Sequence, residues 1–478
     1  MHLSNRLRVI VVVAAVLFGT AEVQADWKDD IGWTKLFAEK GASLETGAGI
    51  SISMSEGSGA GGIYLPDSIP PTNSEFTGKT LIDASGFGGA VSSHSRTVAL
   101  NFFGKTSSIA KDASNITIYQ ADDWIVRVLG YDDLQPLAND PLTQPFKVQN
   151  HSWVFTGSSV SEAVNILRRV DYVVNQNEIT MVAGTTNENP IPQGLVQGFN
   201  TIIVGRTDGG HGAGNTTLYR PGRSRPDIVA PDQYTSFSTP MVSSAATMLH
   251  QKAMGTDATR SETMRAVLLA GATKQEFPTW DRTTTRPLDE VFGAGELNVY
   301  NSYKILEGGK FAGSTSLGSS PVGEKGWDYQ SGINPLGAVY YDFDIAAGHT
   351  WTDFSMILTW NMNIIDQDPS LLVFNPMEQL ANFSLDFFSS TGGILGPLLD
   401  SSLAPSANTE HIYFSNINSG RYTLRVTSNL NTDFAFAWRA TAIPEPGQTA
   451  LFAGVLLLLS IVVCRSRKNR CLLNSAIS

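Results

Sequence analysis

Two kinds of periodicity divide the chain, and the change from one to the other constrains its folding more than any other feature. From about Asp26 to Leu306 short apolar runs alternate with amphipathic stretches. Segments 50–54, 116–119, 146–153, 180–183 and 202–205 read as strands, and 160–174, 242–254 and 261–269 carry apolar residues at helical spacing. Parallel neighbours need a crossover between them, so this alternation predicts an α/β domain with a mostly parallel sheet flanked by helices. After Gly308 the pattern becomes short runs at 338–343, 354–360, 371–374, 383–388, 411–414, 422–426 and 434–438, parted by Gly, Asn and Ser. That spacing predicts an all-β sandwich. The Gly- and Ser-rich piece 308–318 is the expected linker.

At 478 residues the chain has room for two to four domains, each with its own core. A net charge of -11 opposes attraction to nucleic acid or anionic lipid, so neither is an expected partner of the folded body. The cysteines, Cys464 and Cys471, both lie near the C-terminus. A thiol nucleophile, a disulfide framework and a cysteine metal site are therefore excluded from everything before them.

Residues 1–25 carry Arg6 and Arg8, then an apolar run, then Val23-Gln24-Ala25, the layout of a secretory signal cut before Asp26. At the other end, Pro444-Glu445-Pro446 precedes an apolar run, 450–463, and a cluster of Arg465, Arg467, Lys468 and Arg470. A run of fourteen residues falls short of the roughly 20 that a spanning helix needs. Segment 443–471 resembles the PEP-CTERM sorting signal of Gram-negative bacteria. The resemblance implies a short transmembrane helix that holds the chain in the inner membrane, cleavage by exosortase-type machinery, and delivery to the envelope or cell surface. A plain tail anchor is the alternative.

The stretch 234–242, Tyr-Thr-Ser-Phe-Ser-Thr-Pro-Met-Val, leads into a helix of small residues, and Pro240 fits that helix's first turn. It resembles the Gly-Thr-Ser-x-x-x-Pro motif of the subtilisin-like serine peptidases, with Ser236 at the nucleophile. Upstream, His94-Ser95-Arg96-Thr97-Val98-Ala99 resembles the family's His-Gly-Thr-His-Val-Ala at His94, Val98 and Ala99, which implies His94 as the base. Segment 181–188 resembles the strand and Asn-Glu turn that supplies an oxyanion amide, here Asn187. Segment 225–231 resembles the approach to the nucleophile, and 292–299 the closing Gly-x-Gly-x-x-Asn-Ala. Asn150-His151-Ser152-Trp153 lies where the family pairs a strand with substrate backbone, which implies Ser152 and Trp153 as substrate-binding residues. The matches keep family order across roughly 47–306.

The family places an Asp at the end of its first core strand. Here that strand ends in Glu56, whose carboxylate can hold an imidazole tautomer as well. Asp83 competes, but it lies only eleven residues before His94, too close for the intervening strand and crossover. Tyr234 replaces the motif glycine. Too few residues separate Asp26 from Glu56 for a long pro-domain. No cofactor is required by this chemistry, and structural Ca²⁺ stays open because no acidic loop has ligand spacing. Strands 410–414 and 419–426 resemble the pre-peptidase C-terminal modules of secreted peptidases.

The expected organisation is a signal peptide (1–25), a catalytic domain (26–307), a linker (308–318), a sandwich (319–442) and a sorting segment (443–471). The expected function is an exported serine endopeptidase acting on protein or peptide substrates. A surface or matrix protein that kept this fold without turnover is the alternative.

Overall fold

A computed structural model describes residues 26–57, 62–131, 141–155, 159–368 and 373–444. The signal at 1–25 and the apolar and basic parts of the sorting segment lie outside the described residues. Among the described ones, no helix is long and apolar enough to cross a membrane.

Seven strands form one parallel sheet: β1 (Ser51–Glu56), β2 (Thr80–Asp83), β3 (Asn115–Gln120), β4 (Val148–His151), β5 (Thr180–Gly184), β6 (Ile202–Arg206) and β7 (Ile228–Ala230). Their order is β7-β6-β5-β4-β1-β3-β2. The chain leaves β1 toward one edge and later returns to its other side, so the connections diverge around β1. In open parallel sheets, ligand crevices form at such a switch, beyond the C-terminal strand ends. Glu56, His151 and Gly184 are the last residues of β1, β4 and β5.

Helices α1 (Ser93–Phe103) and α3 (Thr235–Ala253) cover one face, where Val242, Ala245, Ala246 and Leu249 meet Ile52, Met54, Val148 and Val182. Helix α2 (Val160–Asn177) covers the other, setting Ile166, Val170 and Val173 against Met181, Ala183 and Ile203. Two more helices, α4 (Ser261–Gly271) and α5 (Val299–Gly308), belong to the α3 side. A helix enclosed all round needs small or apolar residues on every face, which is the composition of 242–249.

The second region is the expected sandwich. Strands β8 (Lys325–Gln330), β9 (Val339–Ile345), β10 (His349–Thr359), β11 (Phe383–Thr391), β12 (Ile394–Ser402), β13 (Thr409–Ile417), β14 (Gly420–Ser428) and β15 (Phe434–Pro444) form two antiparallel sheets. Their orders are β8-β15-β10-β13 and β9-β14-β11-β12. In β15, Phe434, Phe436 and Trp438 face the sandwich core, whereas Ala435 and Ala437 join the α/β core. A strand buried on both faces reads as a continuous apolar run.

Polar bonds tie the same joint. Arg439 donates to the carbonyls of Ala270 (2.8 Å) and Ala272 (2.9 Å), which no further turn of α4 satisfies. Thr359 Oγ1 donates to Glu262 O at 2.6 Å.

Several expectations need correction. Segment 308–318 is no free linker: Gly308 closes α5, and Lys310 and Ser314 bridge to Trp327 and Tyr340. Of 371–374, the two described residues lie outside any strand, and a short strand follows at Pro376–Gln379 instead. Strand β12 was not expected, because Gly396 and Pro397 interrupt its pattern. As an edge strand it tolerates a residue without an N–H. Strand β15 runs past 442, since Ile443 and Pro444 pair with Thr350 and His349.

Candidate active site

Glu56 ends β1 with its side chain on the α1 face and is 1% exposed. His94 sits in the first turn of α1, which Ser92 caps by accepting from the Ser95 N–H. The two meet at 2.9 Å, His94 Nδ1 to Glu56 Oε2. Complete burial pushes the Glu56 carboxyl upward, against the pull of His94. The same bond raises the imidazole above 6.5, and partial burial opposes it. A proton on Nδ1 directed at the carboxylate leaves Nε2 as the basic nitrogen.

Asp83 is elsewhere. It ends the edge strand β2, with β3 between it and β1. Its carboxylate accepts from Tyr64 O–H at 2.5 Å and from the amides of Ser85, Gly86 and Gly88. Arg96, one of the departures in the His motif, turns away to Pro66 O.

Ser236 is the second residue of α3, and the following residue, Phe237, packs its ring 5.6 Å from the His94 ring. Asn101 of α1 also donates to Phe237 O at 3.2 Å, so the two helices fix imidazole and serine to one corner. His94 and Ser236 make no hydrogen bond in this structure. Ser236 Oγ donates instead to the Ser152 carbonyl, at 3.5 Å.

Helix α3 starts seven residues before the expected 242, so Pro240 is its sixth residue and not in the first turn. Proline supplies no N–H for the carbonyl four residues earlier, which is that of Ser236. Ser152 Oγ donates to that carbonyl at 2.9 Å instead.

Asn187 is exposed just past β5. Its Oδ1 accepts from Thr235 N (2.8 Å) and Thr235 Oγ1 (3.1 Å), which leaves Nδ2 as the donating end. A Cβ on Gly184 would lie 2.7 Å from Thr239 Oγ1, so β5 reaches α3 only without a side chain there. Trp153 is half-buried, edge-on to His151 at 5.9 Å and tilted on Phe155 at 5.8 Å. Tyr234 is 50% exposed and lies edge-on to Phe237. Beside it opens a cleft of about 560 Å³, walled by Trp27, Asp232, Tyr234 and Phe237.

The two flanking motifs meet as neighbours. Val229 of β7 bonds Gly295 O and Leu297 N, covering the sheet edge, and Ala294 N donates to Asp227 O at 2.7 Å. Among the described residues, no three His, Cys, Asp or Glu side chains converge as a metal centre.

Sequence alone assigned no role to Thr235, Asn150 and Ser243, which orient Asn187 and Ser152 from behind. One signal was available: a proline four residues after a helical serine leaves a carbonyl that needs another donor.

No family model matches the chain, and no curated protein matches it. Among solved structures it is similar to the prenylagaramide maturation protease PagA, at 17% identity over 57% of this chain and 98% of that one, with a TM-score of 0.40. The patellamide maturation protease PatA is 20% identical over 55% of this chain and 98% of its own, with a TM-score of 0.36. A protease from Pseudoalteromonas arctica is 15% identical over 55% and 91%, with a TM-score of 0.34.

Proposed function

We propose that this chain is a subtilisin-like serine endopeptidase. The observation that carries the reading is the buried Glu56 bonded to His94 Nδ1 beside the helix start that bears Ser236. In this reading Glu56 holds the imidazole tautomer, and His94 Nε2 takes the Ser236 proton as Oγ attacks a peptide carbonyl. Asn187 Nδ2 donates to the oxyanion, and His94 returns the proton to the leaving amine. The Ser152 carbonyl and Trp153 border the place where the substrate strand would lie. Side chains and backbone carry the whole reaction without a cofactor.

Export by the N-terminal segment, and sorting through 443–471 with transient membrane residence, belong to the same proposal. The first rests on the residue layout of 1–25, and the second on the resemblance of 443–471. Intact mass of the protein recovered from its native host tests them: loss of the tail near Pro444-Glu445-Pro446 is expected, and a surface form ending at Ser478 would refute the sorting.

A second reading, a surface protein without turnover, draws on the missing His94–Ser236 bond and on the exposed Tyr234 at the helix start. A fluorophosphonate probe separates the two, because only an activated serine is labelled. The mature protein should label at Ser236, and Ser236→Ala should abolish labelling and cleavage while leaving thermal stability nearly unchanged. An unlabelled wild type would favour the second reading.

A further inference from the structure

Ser152 was expected to serve substrate through its strand, yet its hydroxyl is spent inside the protein. Its single O–H goes to the Ser236 carbonyl at 2.9 Å, the acceptor that Pro240 deprives of its helical partner. Ser152 Oγ in turn accepts from Asn150 Nδ2 at 3.0 Å, and Asn150 Oδ1 accepts from Ser243 Oγ at 2.9 Å. Ser243 belongs to the same helix as Ser236. The chain of bonds therefore leaves α3 at Ser243, crosses to β4 and the residue just past it, and returns to α3 at the nucleophile.

Asn150 and Ser243 are fully buried, and Ser152 is 3% exposed. Buried donors and acceptors of this kind are costly to leave unpaired, so each bond holds the next in place. The Ser152 carbonyl also lies 3.5 Å from Ser236 Oγ. One residue thus touches the nucleophile at both its backbone and its hydroxyl.

We propose that Ser152, backed by Asn150 and Ser243, is a positioning residue that holds the first turn of α3 and with it the side chain of Ser236. Pro240 creates the need for it. A proline at that position frees the carbonyl from the helix ladder, and the relay re-ties it to the strand end where the substrate strand would lie. This inference rests on the peptidase reading for its catalytic meaning.

The test compares wild type, Ser152→Ala, Pro240→Ala and the double variant as full chains. The first readout is fluorophosphonate labelling, resolved into a limiting rate and a half-saturating concentration. Misplacing a reacting group by a fraction of an ångström to an ångström costs up to about 10²-fold in rate. Ser152→Ala should lower the limiting rate by about ten- to a hundredfold at unchanged half-saturation. Adding Pro240→Ala should recover most of the loss, because residue 240 then offers its own N–H to the Ser236 carbonyl. A general loss of packing would not be rescued that way.

Hydrogen exchange over 235–239 in the same four proteins reads the relay without any activity. Exchange should quicken in Ser152→Ala and slow again in the double variant. That exchange pattern in a wild type that does not label would end the peptidase reading and leave the relay standing. Exchange unmoved in Ser152→Ala would overturn the proposal, and so, in a wild type that labels, would labelling of Ser152→Ala at the wild-type rate or a double variant no better than the single one.

Discussion

Glu56 meets His94 through one carboxylate oxygen, 2.9 Å from Nδ1, and its other oxygen, Oε1, is buried with no hydrogen-bond partner among the described residues. Among the described residues its side-chain hydrogen bonding is with the imidazole alone. Glu56→Gln would present an amide whose N–H₂ favours the wrong tautomer, and kcat should fall by orders of magnitude, about 10⁴-fold in a comparable triad. Asp83→Asn, acting on a carboxylate tied into its own turn, should leave kcat within a few-fold and cost stability instead. Steady-state kinetics and melting curves of both variants check the ranking.

The pH profile has a definite sign. The bond from Glu56 raises His94 above 6.5, and as the proposed base His94 must be neutral to act, so kcat/KM should climb with pH through a value above 6.5. In Glu56→Gln the raising influence is gone and burial alone remains, which moves any residual ascending limb below 6.5. A labelling-rate profile from pH 5 to 9 measures both.

Asn187→Ala removes the proposed oxyanion donor and also the acceptor of Thr235 N and Oγ1, one residue before Ser236. The expected result is a fall of about 10²- to 10³-fold in kcat with little change in KM. Equal kcat would hand the role to backbone amides alone.

Arg439 is a structural clamp. Its guanidinium bonds the Ala270 and Ala272 carbonyls and the Asp353 carboxylate at 2.5 Å, all at the joint between sandwich and helices. Arg439→Met strands those partners and should lower unfolding free energy by about 3 to 5 kcal/mol in urea titrations. Because the two regions share a core, wild type should unfold in a single transition.

Lys274, nearly enclosed between Trp280 and Tyr413, is pulled down to about 7 by burial, with Arg439 adding and Asp353 opposing. Between that value and its ordinary 10.5 the unfolded chain binds a proton that the folded chain does not, so this group makes stability rise with pH. Lys274→Met should remove that rise. Melting temperatures of both proteins at pH 6.5 and 9 show it as a gap in favour of the variant that narrows with pH.

The parallel sheet was legible because 50–54, 116–119 and 202–205 are apolar runs whose neighbours carry helical periodicity. The start of α3 was not. Residues 235–241 hold serines, threonines and a proline, which read as loop until the donors from Ser152 and the acceptors Asn187 and Thr185 are in view. Those partners come from 48 to 84 residues away, a distance no local pattern spans. Strand β12 failed for the opposite reason. Its Gly396 and Pro397 are strong local turn signals, overruled by a place at the sheet edge where a missing N–H costs no ladder bond.

Strand β15 has a mechanical consequence. It lies between β8 and β10, antiparallel to both, and its last residue, Pro444, still pairs with His349. Residues 441–444 pair with β10 alone and 435–439 with β8 as well, so tension along the strand beyond Pro444 loads the β10 ladder in shear first and the β8 ladder after it. Arg439, midway along, passes that load to the end of α4. A pull on the chain past this point is therefore shared out from one strand to its two neighbours and to the helix behind them.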